Sequence, residues 1–418
     1  MRTSTLLLAL ASSALVFGCD KLKHGAEQGD AGAATPSATS TSAATNAANT
    51  ANAQPTSEPA KPPQAGCDWP DSGDHDITIK KGCNVDAKND LRLVNGVTMT
   101  IEEGAKIAFG TDAYLWVEYG KLIVKGTADA PVTFTSANKS PAAGDWVGIG
   151  FQEKTMAGTS LDHLIVEYAG SKSSNGVGGI QLEDMRQGGR ISITNTIVRN
   201  SAQFGLVSGD NTMFGKFENN TFKDNKDGSV KAHAEVLGSF GRGNKFNQPI
   251  HVEGSIVDQS TTWPAFDVPV FVDDDIRIHN SSSVPKLTIA DGTTVKMGQN
   301  VYISAGDDGP GAFVAKNVTF TSASPAPSPG DWATIFLYAK TNGTDIEGCT
   351  FEYFGSSNSN AGGAITLWST NAKDLTGVTI KGNTFRKGKQ QAMHSDDGKC
   401  APFDTQNKAD GIPFCNKP

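Results

Sequence analysis

Apolar and polar residues alternate in brief runs along most of the chain. Met99-Thr-Ile101, Leu115-Trp-Val117, Leu122-Ile-Val124 and Ile191-Ser-Ile193 keep the two-residue period of a strand with one buried face. Gly, Pro, Ser and Asp separate the runs, and helix-period patterns are scarce. A longer rhythm overlies the alternation. Asn195-Thr-Ile197, Asn220-Thr-Phe222 and Asn244-Lys-Phe246 follow one another at nearly equal steps (220 − 195 and 244 − 220). A compact hairpin protein has no reason to keep such a step. A coil of three short strands and three turns per circuit does, because each circuit stacks on the last at ~4.8 Å. Asn195, Asn220 and Asn244 are therefore expected to stack as a ladder, and Asn383-Thr-Phe385 repeats their motif later in the chain.

The chain is also duplicated. Val132-Thr-Phe-Thr-Ser-Ala137 returns as Val318-Thr-Phe-Thr-Ser-Ala323, and Gly144-Asp-Trp146 as Gly330-Asp-Trp332, both at the same offset (318 − 132 = 330 − 144). Val166-Glu-Tyr168 is matched by Phe351-Glu-Tyr353. The expected division is one half over residues 67–255 and a second over 256–418 that ends in a C-terminal cap.

Met99-Thr-Ile-Glu-Glu-Gly104, Phe109-Gly110, Gly126-Thr-Ala-Asp-Ala-Pro-Val-Thr-Phe-Thr-Ser136 and Gly144-Asp-Trp146 resemble the motifs of bacterial right-handed parallel β-helix repeat proteins. The second copy supplies Leu287-Thr-Ile-Ala-Asp-Gly292, Met297-Gly298 and Gly330-Asp-Trp332 but lacks the Gly-Thr-Ala-Asp segment. The resemblance spans about residues 70–395 and implies an all-β solenoid of two tandem halves. A right-handed coil agrees with the handedness of parallel crossovers.

The first residues are of different material. Met1-Arg2 is a short positive start, and Thr5 to Phe17 is apolar but too short to span a bilayer. Val16-Phe17-Gly18-Cys19 resembles a bacterial lipobox, which implies a signal peptide over 1–18 and a lipid on Cys19. Residues 19–66, rich in Ala, Thr, Ser, Asn and Pro, are read as a disordered linker. The address expected from the lipobox is the bacterial cell envelope, at the outer membrane or the periplasmic face of the inner membrane.

A net charge of −8 with no Lys/Arg block excludes nucleic acid as a partner class. With Cys19 assigned to lipid, Cys67 and Cys83 bracket the start of the folded part, and Cys400 and Cys415 its end; each pair is expected to form a disulfide. Cys349 is read as a buried apolar residue. No CxxC or His-x-x-x-His spacing occurs, so neither a metal nor another cofactor is expected. Asp273-Asp-Asp275 and Asp396-Asp397 lack calcium-loop spacing and read as solvated loops.

Asp145 with Glu167, and Asp331 with Glu352, place two carboxylates close to one circuit apart, a spacing that could serve acid–base work on neighbouring rungs. Both pairs recur with Trp146 and Trp332 beside them. The repetition favours structural roles, and no residue is assigned a catalytic one. Tyr114, Trp116 and Tyr119 are the candidate sugar contacts. The resulting expectation is a lipid-anchored scaffold that binds a polysaccharide or an envelope protein without transforming it. Two other readings stay open: a polysaccharide lyase or hydrolase of the same fold, and a purely structural envelope component. The deciding observation is whether an acid, a base and a cation meet in one groove.

Overall fold

A computed structural model describes residues 67–173, 177–183, 185, 188–209, 212–356, 362–368, 375–396 and 398–415. Cys19, the expected signal peptide and linker over residues 1–66, and Asp397 lie outside these residues. The described chain is a parallel β-helix. Short strands succeed one another around three faces, and each pairs in parallel with the strand one circuit earlier. Circuits differ in length. Val230 meets Ile250 one rung on, whereas Ile123 meets Ser160, so the strands keep register while the corner loops absorb the variation. Burial alternates within most strands, as in Val97–Glu102, where Val97, Met99 and Ile101 point inward.

One face is a single sheet of 13 strands from Leu91–Leu93 to Lys408–Asp410. The other two are interrupted. A six-stranded sheet from Ile77–Ile79 to Lys216–Glu218 gives way to another from Ser255–Val257 to Gln391–Ser395. A seven-stranded sheet ending at Lys245–Phe246 gives way to five strands from Thr261–Trp263 to Thr379–Lys381. At this seam the short 3-10 turn Val236–Ser239 follows Gly228–His233, where a strand of the first face would otherwise come.

The duplicated motifs do not return to the same face. Val132–Ser136 lies in the seven-stranded sheet, but its repeat Thr319–Ser322 lies in the continuous one. Leu164–Glu167 and Thr350–Glu352 differ in the same way. From Ser160–Asp162 to Asp345–Glu347 the chain makes 21 strand steps plus the 3-10 turn, which is 22, or seven three-strand circuits plus one. The second half is therefore turned by one face, a third of a circuit, relative to the first.

The interior is filled by side chains stacked in register. Phe320, Phe351 and Phe385 stack at 5.0 and 4.9 Å between ring centroids. Trp146, Trp263 and Trp332 are fully buried. The asparagine ladder is real but offset by one residue from its expected membership. Asn220 accepts the Thr196 N–H at 3.0 Å and donates to the Ile193 carbonyl at 2.9 Å; Asn244 repeats this one rung on with the Asn220 N–H and the Phe217 carbonyl. The register pairs Ile197 with Thr221, so Thr196 occupies the rung position above Asn220. Asn195 instead turns with φ +53° and donates to Asp162. Asn383 and Asn407 form the equivalent ladder in the second half. These side chains replace the hydrogen bonds that corner peptides cannot make within a sheet.

Disulfides close both ends. Cys67–Cys83 and Cys400–Cys415 have Cα separations of 5.1 and 6.1 Å, inside the range such links require. Cys349 is a buried free thiol, and burial pushes its pKa up to about 11.

Candidate functional site

The recurring carboxylates are occupied in holding corners. Asp145 accepts hydrogen bonds from Ser136 Oγ at 2.6 Å and the Ala142 N–H at 2.9 Å; Asp331 accepts from Ser322 Oγ and the Ser328 N–H at the same two distances. The Trp146 indole donates to the Glu167 carbonyl at 2.9 Å, and Trp332 to that of Glu352 at 2.7 Å. Glu167 pairs with Arg199 and receives Thr135, while Glu352 pairs with Arg386 and Lys387 and receives Thr321. Tyr168 and Tyr353 both adopt the left-handed conformation (φ +64° and +63°), unusual for a bulky residue. The Tyr168 carbonyl thereby receives the Gly144 and Asp145 N–H groups, and the Tyr353 carbonyl those of Gly330 and Asp331 together with Trp332 at 3.5 Å. Burial alone would raise the pKa of Asp145, but the bonds from Ser136, Ala142 and Asn138 hold it below the usual carboxylate range.

The three candidate sugar contacts separate. Tyr114 and Trp116 share the outer side of the continuous sheet but are 7% and 5% exposed. The Trp116 indole lies flat over Gly150 on the next rung, where any Cβ would fall 1.4 Å from ring atoms. Arg92 donates to the Tyr114 hydroxyl on its other side. Neither ring offers a free face, which corrects the expectation that both contact a glycan. Tyr119, at the following corner, is 50% exposed.

Tyr119 opens a groove along that corner. One hollow of about 680 Å³ is lined by Tyr119, Lys154, Met156, Gly188 and Gly189. A second, of about 700 Å³, shares Gly188 and Gly189 and continues past Arg190, Met213, Glu235, Ile256 and Asp258. The groove follows the corner after six successive strands of the continuous sheet, Tyr114–Val117 to Ile250–Glu253, hence five rung spacings or ~24 Å. It deepens at the seam, where the 3-10 turn takes the place of a wall strand. Both apolar side chains (Tyr119, Met156, Met213 and Ile256) and polar ones (Lys154, Arg190, Glu235 and Asp258) line it.

Glu235 is its most unusual group. Its Oε1 accepts the Asp258 N–H at 2.8 Å and the Gln259 N–H at 3.4 Å. Burial first, and then the adjoining Asp258 carboxyl, raise its pKa against the effect of those N–H groups. An acid, a carboxylate and a cation, Arg190, thus line one groove, which sequence reasoning missed. A carboxyl whose protonated form burial favours offers a donor as well as acceptors, which suits hydroxyl groups. The lapse of strand alternation over Ala234-Glu-Val-Leu-Gly238 was the available signal for this corner.

Among the described residues no group of three or more His, Cys, Asp or Glu converges to hold a metal ion. Residues 72–181, about a quarter of the chain, match the family described as a pectate-lyase-like β-helix domain. No curated protein and no solved structure matches the chain. The matched segment lies in the first half and contains Tyr119 and the first hollow's Lys154 and Met156.

Proposed function

We propose that this parallel β-helix is a non-catalytic binder of neutral glycan chains, which it holds lengthwise in the corner groove. The observation that carries the reading is the groove's linear course from exposed Tyr119 to the Glu235–Asp258 pair. A pyranose chain presents C–H faces and hydroxyl rims, and the groove offers both apolar and polar side chains along one axis. The matched family type, a pectate-lyase-like domain, is consistent with a glycan-related role at a surface. The test is retention of neutral and acidic polysaccharides by the purified domain, with product formation scored in the same samples. Retention of a neutral chain without new reducing or unsaturated ends supports binding alone. Cleavage that Glu235→Gln abolishes in a folded protein would establish the enzyme instead.

The proposal includes an anchor. Lipid on Cys19 would hold the β-helix at a bacterial envelope membrane through the linker of residues 19–66. Such a coil spans roughly 35–40 Å on average, enough to lift the groove clear of the surface. Metabolic labelling with a fatty acid should tag the wild type and not Cys19→Ser. Equal labelling of both would remove the anchor from the proposal.

A further inference from the structure

The two halves carry one outer-face arrangement in two states. In the first half Arg92 donates to Tyr114 from the neighbouring rung, and Tyr114 lies 5.3 Å from Trp116. In the second, Arg277 donates Nε to the Tyr302 hydroxyl at 3.1 Å, and Tyr302 lies 5.3 Å from Phe336. The register makes Ser304 the counterpart of Trp116, and Phe336 that of Gly150. Large and small have exchanged places. In the first half the large ring lies over the next rung's glycine and seals the face. In the second, Phe336 is as covered as Tyr114, at 7% exposed, but the rings around it, Tyr302, Tyr338 and Trp368 at 5.3, 6.3 and 5.6 Å, are only partly buried and supply the accessible aromatic surface.

We infer that this second-half face is a separate binding platform for a neutral pyranose ring, independent of the corner groove. Aromatic rings seat the C–H face of a sugar, and polar groups at their edge take its hydroxyls. The edge is furnished here. Asp307 accepts Ser304 Oγ at 3.0 Å and faces His279 at 4.0 Å, and Asp275 accepts the Tyr302 N–H at 3.0 Å. Burial, followed by the charge of Asp307, keeps the Tyr338 phenol protonated and able to donate. Charge selects the ligand class. Asp275 and Asp307 flank Arg277, whose guanidinium already serves Tyr302, so no excess positive charge awaits a uronate or sulfate chain.

Trp368 provides the readout. Tryptophan fluorescence of the full chain should shift on titration with neutral hexaoses of glucose or mannose. Trp368→Phe should abolish the shift, and Tyr338→Ala should weaken the apparent affinity about tenfold while retaining it. Ser304→Trp with Phe336→Gly copies the closed arrangement of the first half, so it should fold and lose the shift. Tyr119→Ala, in the groove, should leave the shift unchanged. A shift that persists in Trp368→Phe, an unaltered affinity in Tyr338→Ala, or no shift in the wild type with any of these hexaoses would overturn the platform. A shift lost with Tyr119→Ala would assign the effect to the groove.

Discussion

Trp332→Ala is expected to lower the unfolding free energy by about 3–5 kcal/mol, and Trp146→Ala by a similar amount, the range for truncating a fully buried large aromatic. Each indole is completely buried and donates to the carbonyl of the carboxylate residue on the next rung. Removing it opens a cavity and leaves that carbonyl without its donor. The carboxylates should follow with smaller losses. Asp145→Asn and Glu352→Gln are each expected to cost about 1–3 kcal/mol, as for hydrogen bonds to charged groups, without altering glycan retention. Their pH dependence has a fixed sign. Burial raises the Glu352 pKa, but Lys387 and Arg386 outweigh it and hold the group low; hydrogen bonds do the same for Asp145. A depressed folded value means stability that is present above the ordinary values of 4.5 and 3.8 and lost as pH falls through the folded ones. The acid limb of a denaturation series should flatten in both variants. A neutral-pH loss of retention in a folded Asp145→Asn protein would contradict the structural assignment.

Periodicity exposed the parts of this molecule that repeat. Strand alternation, the near-equal Asn steps and the common offset of the duplicated motifs all express stacking constraints that act on every circuit, so they leave regular traces in the chain. The same regularity concealed the one-face turn between halves. A linear offset says how far apart two motifs lie along the chain, not how many strands they make, and variable corner loops decouple the two counts. The Asn195 offset arose similarly: the step from Asn195 to Asn220 reads as a rung, but the hydrogen-bonded register assigns that rung to Thr196. Tyr114 and Trp116 looked available because alternation places them outward. Only Gly150 on the adjacent rung, a full circuit later in the chain, shows that the indole is laid flat and covered. The groove was illegible for a different reason. Its walls come from corner loops on separate rungs, and Glu235 and Asp258 acquire their relation through a missing strand rather than a motif.

Affinity for neutral oligosaccharides should rise with chain length and level off near five rings. The groove is ~24 Å long, five rung spacings of ~4.8 Å, and one pyranose ring is expected to seat per rung. With a ligand-efficiency bound of roughly 0.3 kcal/mol per heavy atom, one ring contributes no more than about 3 kcal/mol. A step of about tenfold per ring, ~1.4 kcal/mol, lies within that bound. Tyr119→Ala removes the exposed ring at one end and should bring the plateau one ring earlier. Glu235→Gln acts at the other end and has a pH signature. Burial and Asp258 raise the Glu235 pKa above its ordinary value of 4.5, so its proton, and the stability tied to it, is fully present below that value and lost as pH rises through the folded one. Retention by the wild type should weaken over that interval as the Glu235 donor disappears. Glutamine keeps an acceptor for the Asp258 N–H and supplies a permanent donor. Isothermal titration of di- to octasaccharides across pH should therefore show a sloping wild type and a level Glu235→Gln. An affinity independent of chain length, or a wild type and variant with the same pH profile, would mean that the chain does not lie along this corner.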